Sequence, residues 1–157
     1  MKALSFKPPW GQMVVYGIPI LKSVDLGEGR STVEYSGKVF LKNIENRSWK
    51  LPAWFKVPQR IYVHSGKRED DSEATFKFLF EKGLATPIVA LCLFSSKLGR
   101  GAIIGEVDII DCVEKSDSPW FVGPYGFVLA NPVSYEKPIP CRGKLGFFEP
   151  EEQGGLV

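Results

Sequence analysis

Residues Gly101 to Val113 constrain the fold of this chain most. The run is dominated by β-branched and other apolar residues, with Gly105 inside it. β-Branched side chains lose rotamers in a helix and fit a pleated surface. The run therefore reads as a central strand. A glycine within a strand marks a bulge or a close approach of another backbone.

Other elements arrange themselves around that strand. Lys2–Phe6 alternates and reads as a short strand, as do Lys38–Leu41, Arg60–His64, Gly126–Ala130 and Lys144–Phe148. A Pro-rich connection separates the last two. Pro8 and Pro9 suit a first helical turn, Trp10, Met13 and Val14 follow at helical spacing, and Gly17 is placed to end the helix. Residues 18–37 are rich in Gly, Ser and charge, and read as a loop or a hairpin insertion. Trp49–Pro58 holds two prolines and is expected to be irregular. Asp70-Asp71-Ser72-Glu73 is an acidic helix start, Phe76, Leu79 and Phe80 form a buried stripe, and Gly83 is the stop. Ile88–Phe94 is a continuous apolar run, equally a buried strand or a helix.

Short strands and few helices predict an α+β fold: a small mixed β-barrel with helices packed outside it. At 157 residues the chain reads as one domain over 1–150, with an insertion at 18–38 and a flexible tail at 151–157. No apolar run approaches the roughly 20 residues of a membrane helix. The opening residues run straight into Lys7-Pro8-Pro9 and form no signal-peptide core. Cys92, Cys112 and Cys141 lack metal-ligand spacing, so free thiols in a reducing cytoplasm are expected. No metal and no cofactor is predicted.

Charge is uneven. Residues 1–70 carry 12 Lys/Arg against 6 Asp/Glu, whereas 71–157 carry 8 against 12. Within 38–68 there are 8 basic residues against Glu45 alone, and Phe40, Trp49, Trp54, Phe55 and Tyr62 lie among them. Cations fix backbone phosphates and aromatic faces stack bases, so the segment suits RNA or a nucleotide. The plainer alternative is a solvated basic face with its aromatics in the core.

The densest part is Lys42-Asn43-Ile44-Glu45-Asn46-Arg47-Ser48-Trp49. In an extended segment Glu45 and Arg47 point to one face. Lys42 is a candidate phosphate contact or low-pKa base, and Glu45 can read a base edge or activate water. Arg47 suits bidentate phosphate or guanine recognition. The alternative for Lys42 is an exposed surface lysine, for Glu45 a salt bridge with Arg47 or Lys42 that orders the loop, and for Arg47 a buttress to Glu45. Trp49 and Trp120 are stacking candidates, while Trp10 and Trp54 are assigned to the core and its cover. His64, the only histidine, is a proton shuttle or a hydrogen-bonded structural residue. Ser65-Gly66-Lys67 can form a small anion pocket. Cys141 stands beside Arg142, whose charge favours a thiolate.

Together these segments resemble the ASCH family of the PUA-like superfamily. The likeness rests on Met1–Ser5 with Pro9-Trp10, on Lys42-x-x-Glu45-x-Arg47, and on Ile61–Ser65. It continues through Gly101–Val107, Trp120-Phe121, Gly123–Gly126 and Pro140–Gly143. The resemblance implies a PUA-like barrel with Lys42, Glu45 and Arg47 in a cleft between barrel and helices. It implies RNA binding, in translation or RNA metabolism. It also implies, as the alternative, a hydrolase using Lys42 and Glu45 on an acetylated cytidine-type nucleoside or as a ribonuclease. The chain departs from the family where Phe40 replaces the glycine two residues before Lys42. It also departs in the longer segment between Gly17 and Lys42, expected to cover or extend the cleft. A protein-interaction role for that insertion is a third possibility.

Overall fold

The computed structural model describes residues 1–86, Val89 and 99–151. Apart from Val89, the Ile88–Phe94 run lies outside the described residues, as do residues 152–157 of the tail.

The chain runs β1 (Ala3–Phe6), α1 (Trp10–Val15), β2 (Ile18–Gly27), β3 (Arg30–Phe40), β4 (Ile44–Arg47) and β5 (Gln59–Ser65). It continues as α2 (Ser72–Glu81), β6 (Ala102–Val113), β7 (Tyr125–Pro140) and β8 (Phe147–Phe148). Six strands form one curled, half-barrel sheet in the order β4-β7-β6-β5-β1-β8. The sheet is mixed, because β1 runs parallel to β5 while the other neighbours are antiparallel. The fold is α+β, and α1 and α2 are the helices with described bounds that accompany the sheet.

β6 takes the central place, between β5 and β7. Its Ile104, Val107 and Ile109 are fully buried, in one cluster with Leu4 and Phe6 of β1, Ile61 and Val63 of β5, Val14 of α1 and Phe127 of β7. Gly105 lies where two neighbours press on the strand. A Cβ there would stand 2.2 Å from the Val133 carbonyl oxygen and 2.9 Å from Val15 Cγ1. The ladder shifts register beside it.

β7 is longer than its sequence suggests. It runs from Tyr125 to Pro140, through the Pro-rich stretch expected to be a connection. The prolines are accommodated by bulges. Ala130 pairs with Asp108 and Val133 with Glu106, so Pro132 falls in the shifted stretch between them. Ser134 pairs with Gly105 and Ile139 with Ile103, so Pro138 falls in the next. A proline lacks the ladder donor, and a bulge is where that donor is not required. Conversely, only Phe147–Phe148 of the expected Lys144–Phe148 strand pairs, with Ala3 and Leu4.

The insertion is a hairpin. β2 and β3 pair with each other, apart from the main sheet. Glu28 and Gly29 between them both have positive φ, 55° and 71°, as a two-residue primed turn requires. At its root, Gly17 (φ 80°) would place a Cβ 3.0 Å from the Phe40 carbonyl oxygen. α2 starts on Asp71, whose side chain accepts from the Ala74 N–H at 2.9 Å. Its buried residues are Thr75 and Leu79, whereas Phe80 is exposed and stacks on Phe76 one turn back.

Gly105→Ala should destabilise the protein by about 1–3 kcal/mol, since the backbone of β7 must move to admit one methyl. Chemical denaturation read by tryptophan fluorescence measures this. Unchanged stability would show that the β6–β7 bulge relaxes freely.

Candidate functional site

β4 is short, and it buries a carboxylate, Glu45, next to an apolar side chain, Ile44. Its anchors are backbone bonds: the Lys42 N–H donates to the Met13 carbonyl at the end of α1 (2.9 Å), and the Leu129 N–H donates to Asn43 (2.9 Å). β4 then pairs antiparallel with β7, from Ile44↔Val128 to Arg47↔Tyr125. Alternation turns Glu45 and Arg47 to one face, as the spacing predicts. Ile44 turns to a second apolar cluster with Met13, Leu79 and Trp120.

Lys42, Glu45 and Arg47 form one chain of charge. Lys42 Nζ donates to the Ile44 carbonyl and to Glu45 Oε2 (2.7 Å). Arg47 Nε donates to Glu45 Oε1 at 3.1 Å. Arg47 Nη2 donates to the Ser5 carbonyl on β1 at 2.7 Å. Lys42 is 4% exposed and Glu45 8%. Burial pushes the Lys42 ammonium below its ordinary pKa, Glu45 opposes that shift, and Arg47 adds to it. The indole ring of Trp10 lies 5.8 Å from Lys42 Nζ, and Phe6 and Trp49 lie 5.7 and 5.9 Å from the Arg47 guanidinium.

This triad opens on a cleft of about 1320 Å³. Eight of the lining residues are Lys or Arg, against the carboxylates of Glu45 and Asp70. Lys42, Arg47, Lys67 and Arg68 come from the basic segment. Lys7, Arg100, Arg142 and Lys144 come from elsewhere in the chain. The backbone explains the convergence. Gly101 N–H donates to the Ser65 carbonyl (2.7 Å), and Cys141 N–H donates to the Gly101 carbonyl (3.1 Å). The ends of β5, β6 and β7 thus meet, and Lys67, Arg68, Arg100 and Arg142 stand just beyond those ends.

The aromatic candidates divide. Trp120 lines the cleft but is fully buried. Phe40 stacks on its ring at 5.6 Å and 26°, and Phe78 lies 6.4 Å from it. Trp49 packs edge-on against Phe127 and Phe147, outside the cleft lining. Trp10, assigned to the core from sequence, lines the cleft and is half-buried. Its Nε1 donates to Asp70 at 2.9 Å. Asn46 escaped notice in the sequence although it sits inside the motif. Its amide donates to the Trp120 carbonyl (2.9 Å) and accepts from the N–H groups of Val122 (2.8 Å) and Gly123 (3.0 Å). It fixes the Trp120 wall.

His64 lines the cleft but is 1% exposed. Its Nε2 faces the Cys141 carbonyl at 2.7 Å, and Nδ1 faces Ser5 Oγ at 2.9 Å. A carbonyl only accepts, so Nε2 carries the proton and Nδ1 accepts from the serine. Burial lowers the pKa of this imidazole. Of the two sequence readings, the geometry matches the structural one. Gly143 lies against the same ring, where a Cβ would stand 2.7 Å from Cε1.

The expected anion pocket at Ser65-Gly66-Lys67 is largely spoken for. Gly66 N–H donates to the Phe6 carbonyl (2.9 Å), and Ser65 Oγ accepts from Gln12 (2.8 Å). Lys67 alone is exposed, its stem lying over Gly101. Cys141 is buried, and burial pushes its thiol up, against the expected effect of Arg142. It meets His64 through its carbonyl and not its sulfur. Among the described residues no cluster of three or more His, Cys, Asp or Glu is placed to hold a metal ion. No helix among them is long and apolar enough to cross a membrane.

No family model matches this sequence, and no curated protein matches it. The chemistry must be read from the cleft itself.

Glu45→Ala would leave the Lys42 ammonium buried without its counter-ion. Removing one partner of a buried pair costs about 3–5 kcal/mol. Replacing both, as Lys42→Met with Glu45→Leu, should recover much of that loss. Equilibrium unfolding of the single and double variants checks the order. A Glu45→Ala protein as stable as wild type would mean that water reaches Lys42.

Proposed function

We propose that this chain is an ASCH-type domain of the PUA-like class that binds RNA or a nucleotide in the cleft. The observation that carries the reading is the lining: eight cations against two carboxylates, beside the aromatic rings of Trp10 and Phe78. Cations of this density suit phosphates, and an accessible indole suits a base. Glu45 retains lone pairs beyond those used by Lys42 and Arg47, and a base edge can donate to them.

Titration of tryptophan fluorescence with single-stranded RNA tests this. Binding should weaken as salt rises, because neutralised phosphates release counter-ions. Trp10→Leu should cost about 1–3 kcal/mol of affinity, the usual worth of one stacked base. No response to any RNA or nucleotide at low salt would sink the reading.

A separate observation favours a second reading. Lys42 is buried, its pKa is lowered by that burial, and it touches Glu45. Two unlike titratable groups in contact within a cleft are the usual equipment for general acid–base work. In a hydrolase, Glu45 would take a proton from water and Lys42 would deliver one to the leaving group. The substrate would be the amide of an acetylated cytidine or a phosphodiester of RNA. Turnover of either should vanish in the Lys42→Ala, Glu45→Ala double variant. Turnover that survives would remove both residues from the chemistry.

A further inference from the structure

The charges of the cleft differ between floor and rim. On the floor each charge is answered within the protein: Lys42 by Glu45, and Arg47 by Glu45 and the Ser5 carbonyl. A phosphate set there would stand beside the buried carboxylate of Glu45 and be repelled by it. On the rim Lys7, Arg100 and Lys144 are answered by Asp70, Glu69 and Glu151, and three further cations stand beside them. Lys67, Arg68 and Arg142 are exposed, and none makes an ion pair among the described residues. All three line the same cleft, where the ends of β5, β6 and β7 meet. Lys67 crosses Gly101, whose carbonyl holds the Cys141 N–H beside Arg142. Gly101 has φ 70°, and a Cβ there would stand 2.9 Å from Lys67 Cε, so the glycine leaves the path of the lysine stem open.

The size of the cleft adds a second constraint. At about 1320 Å³ it exceeds the roughly 300–1,000 Å³ of ordinary small-molecule pockets. Its lining also includes two exposed aliphatic side chains, Val122 at 64% and Leu145 at 99%. A single nucleoside would leave both the rim cations and these apolar groups unused.

We propose that the cleft takes a single-stranded segment of several nucleotides, with one base on the Glu45 floor and the flanking phosphates on Lys67, Arg68 and Arg142. Val122 and Leu145 then lie against neighbouring bases. This rests on the nucleic-acid reading above and narrows it: a polynucleotide strand is the ligand, and a free nucleoside is not.

The test compares three probes on the intact chain: a nucleoside set, the matching 5′-monophosphates, and a mixed-sequence single-stranded RNA octamer. Affinity should rise from nucleoside to monophosphate to octamer. Changing Lys67, Arg68 and Arg142 to Gln together removes three exposed cations and should leave the fold intact, which thermal unfolding checks. Octamer affinity should then fall about tenfold at low salt, and the slope of log affinity on log salt should shrink by about 2, or about 0.7 for each lost contact on a single strand. Lys22→Gln, on the hairpin and outside the cleft, should change neither. A nucleoside bound as tightly as the octamer would overturn the proposal while leaving the cleft reading in place. So would a triple variant with unaltered octamer affinity and salt slope. Failure of the wild-type chain to bind all three probes would overturn both.

Discussion

Among the described residues the curled sheet ends in β4 on one side and β8 on the other, and Arg47 of β4 reaches across to β1, the strand beside β8. β8 pairs with β1 only at Ala3 and Leu4. The Ser5 carbonyl beyond that point is met by the Arg47 guanidinium. Arg47 is in turn oriented by Glu45, and Glu45 is held by Lys42. Lys42 is fixed through its backbone to α1. One hydrogen-bonded run of charge therefore ties α1, β4 and β1 together. The cleft exists because side chains, and not a strand ladder, close this seam: a ladder would fill the space with backbone.

Buried ion pairs seldom stabilise a fold relative to apolar residues of the same volume. An apolar set at positions 42, 45 and 47 would seal the seam as well and would cost less to desolvate. The charged set does something an apolar one cannot. It presents unused donor and acceptor capacity to the cleft. The Lys42 ammonium has three donors and spends two, and each Glu45 oxygen has a further lone pair. Under the proposed reading, structural and ligand-binding duties fall on the same atoms. The opposite pattern appears on the outer part of the sheet. There Arg60 answers Glu106 and Asp108, while Tyr135 and Asn131 donate to those same carboxylates. That network is satisfied within itself, and its residues are not among those lining this cleft.

Much of this is legible in the sequence because it depends on local pattern. The β-branched run with Gly105 announced a central strand with a close neighbour, and the Val133 carbonyl is that neighbour. The spacing of Glu45 and Arg47 announced a shared face. What failed depends on long-range contacts. The prolines at 132 and 138 read as a connection because nothing local reveals that bulges will absorb them. Trp10 read as core because its helical spacing is apolar, yet Asp70, sixty residues away, turns its indole to the cleft. The basic segment at 38–68 overstated its own part. Arg60 is spent on the outer network, while half of the cations in the cleft come from other strand ends.

Phe40 shows how a single side chain sets the roles of its neighbours. With glycine at that position, the face of Trp120 would have no partner from β3. Phe40 covers it by stacking, and Phe78 approaches the same ring from α2. Trp120 therefore serves as a fixed wall, further held through its carbonyl by Asn46. The place where a base would stack on it is already taken by a phenyl ring. Aromatic contact with a ligand then falls to Trp10, on the side of the cleft where Lys42 approaches the indole. The hairpin that β3 belongs to thus reaches the site through its root. Its tip is free to vary without touching the cleft, whereas a change at Phe40 alters the wall directly.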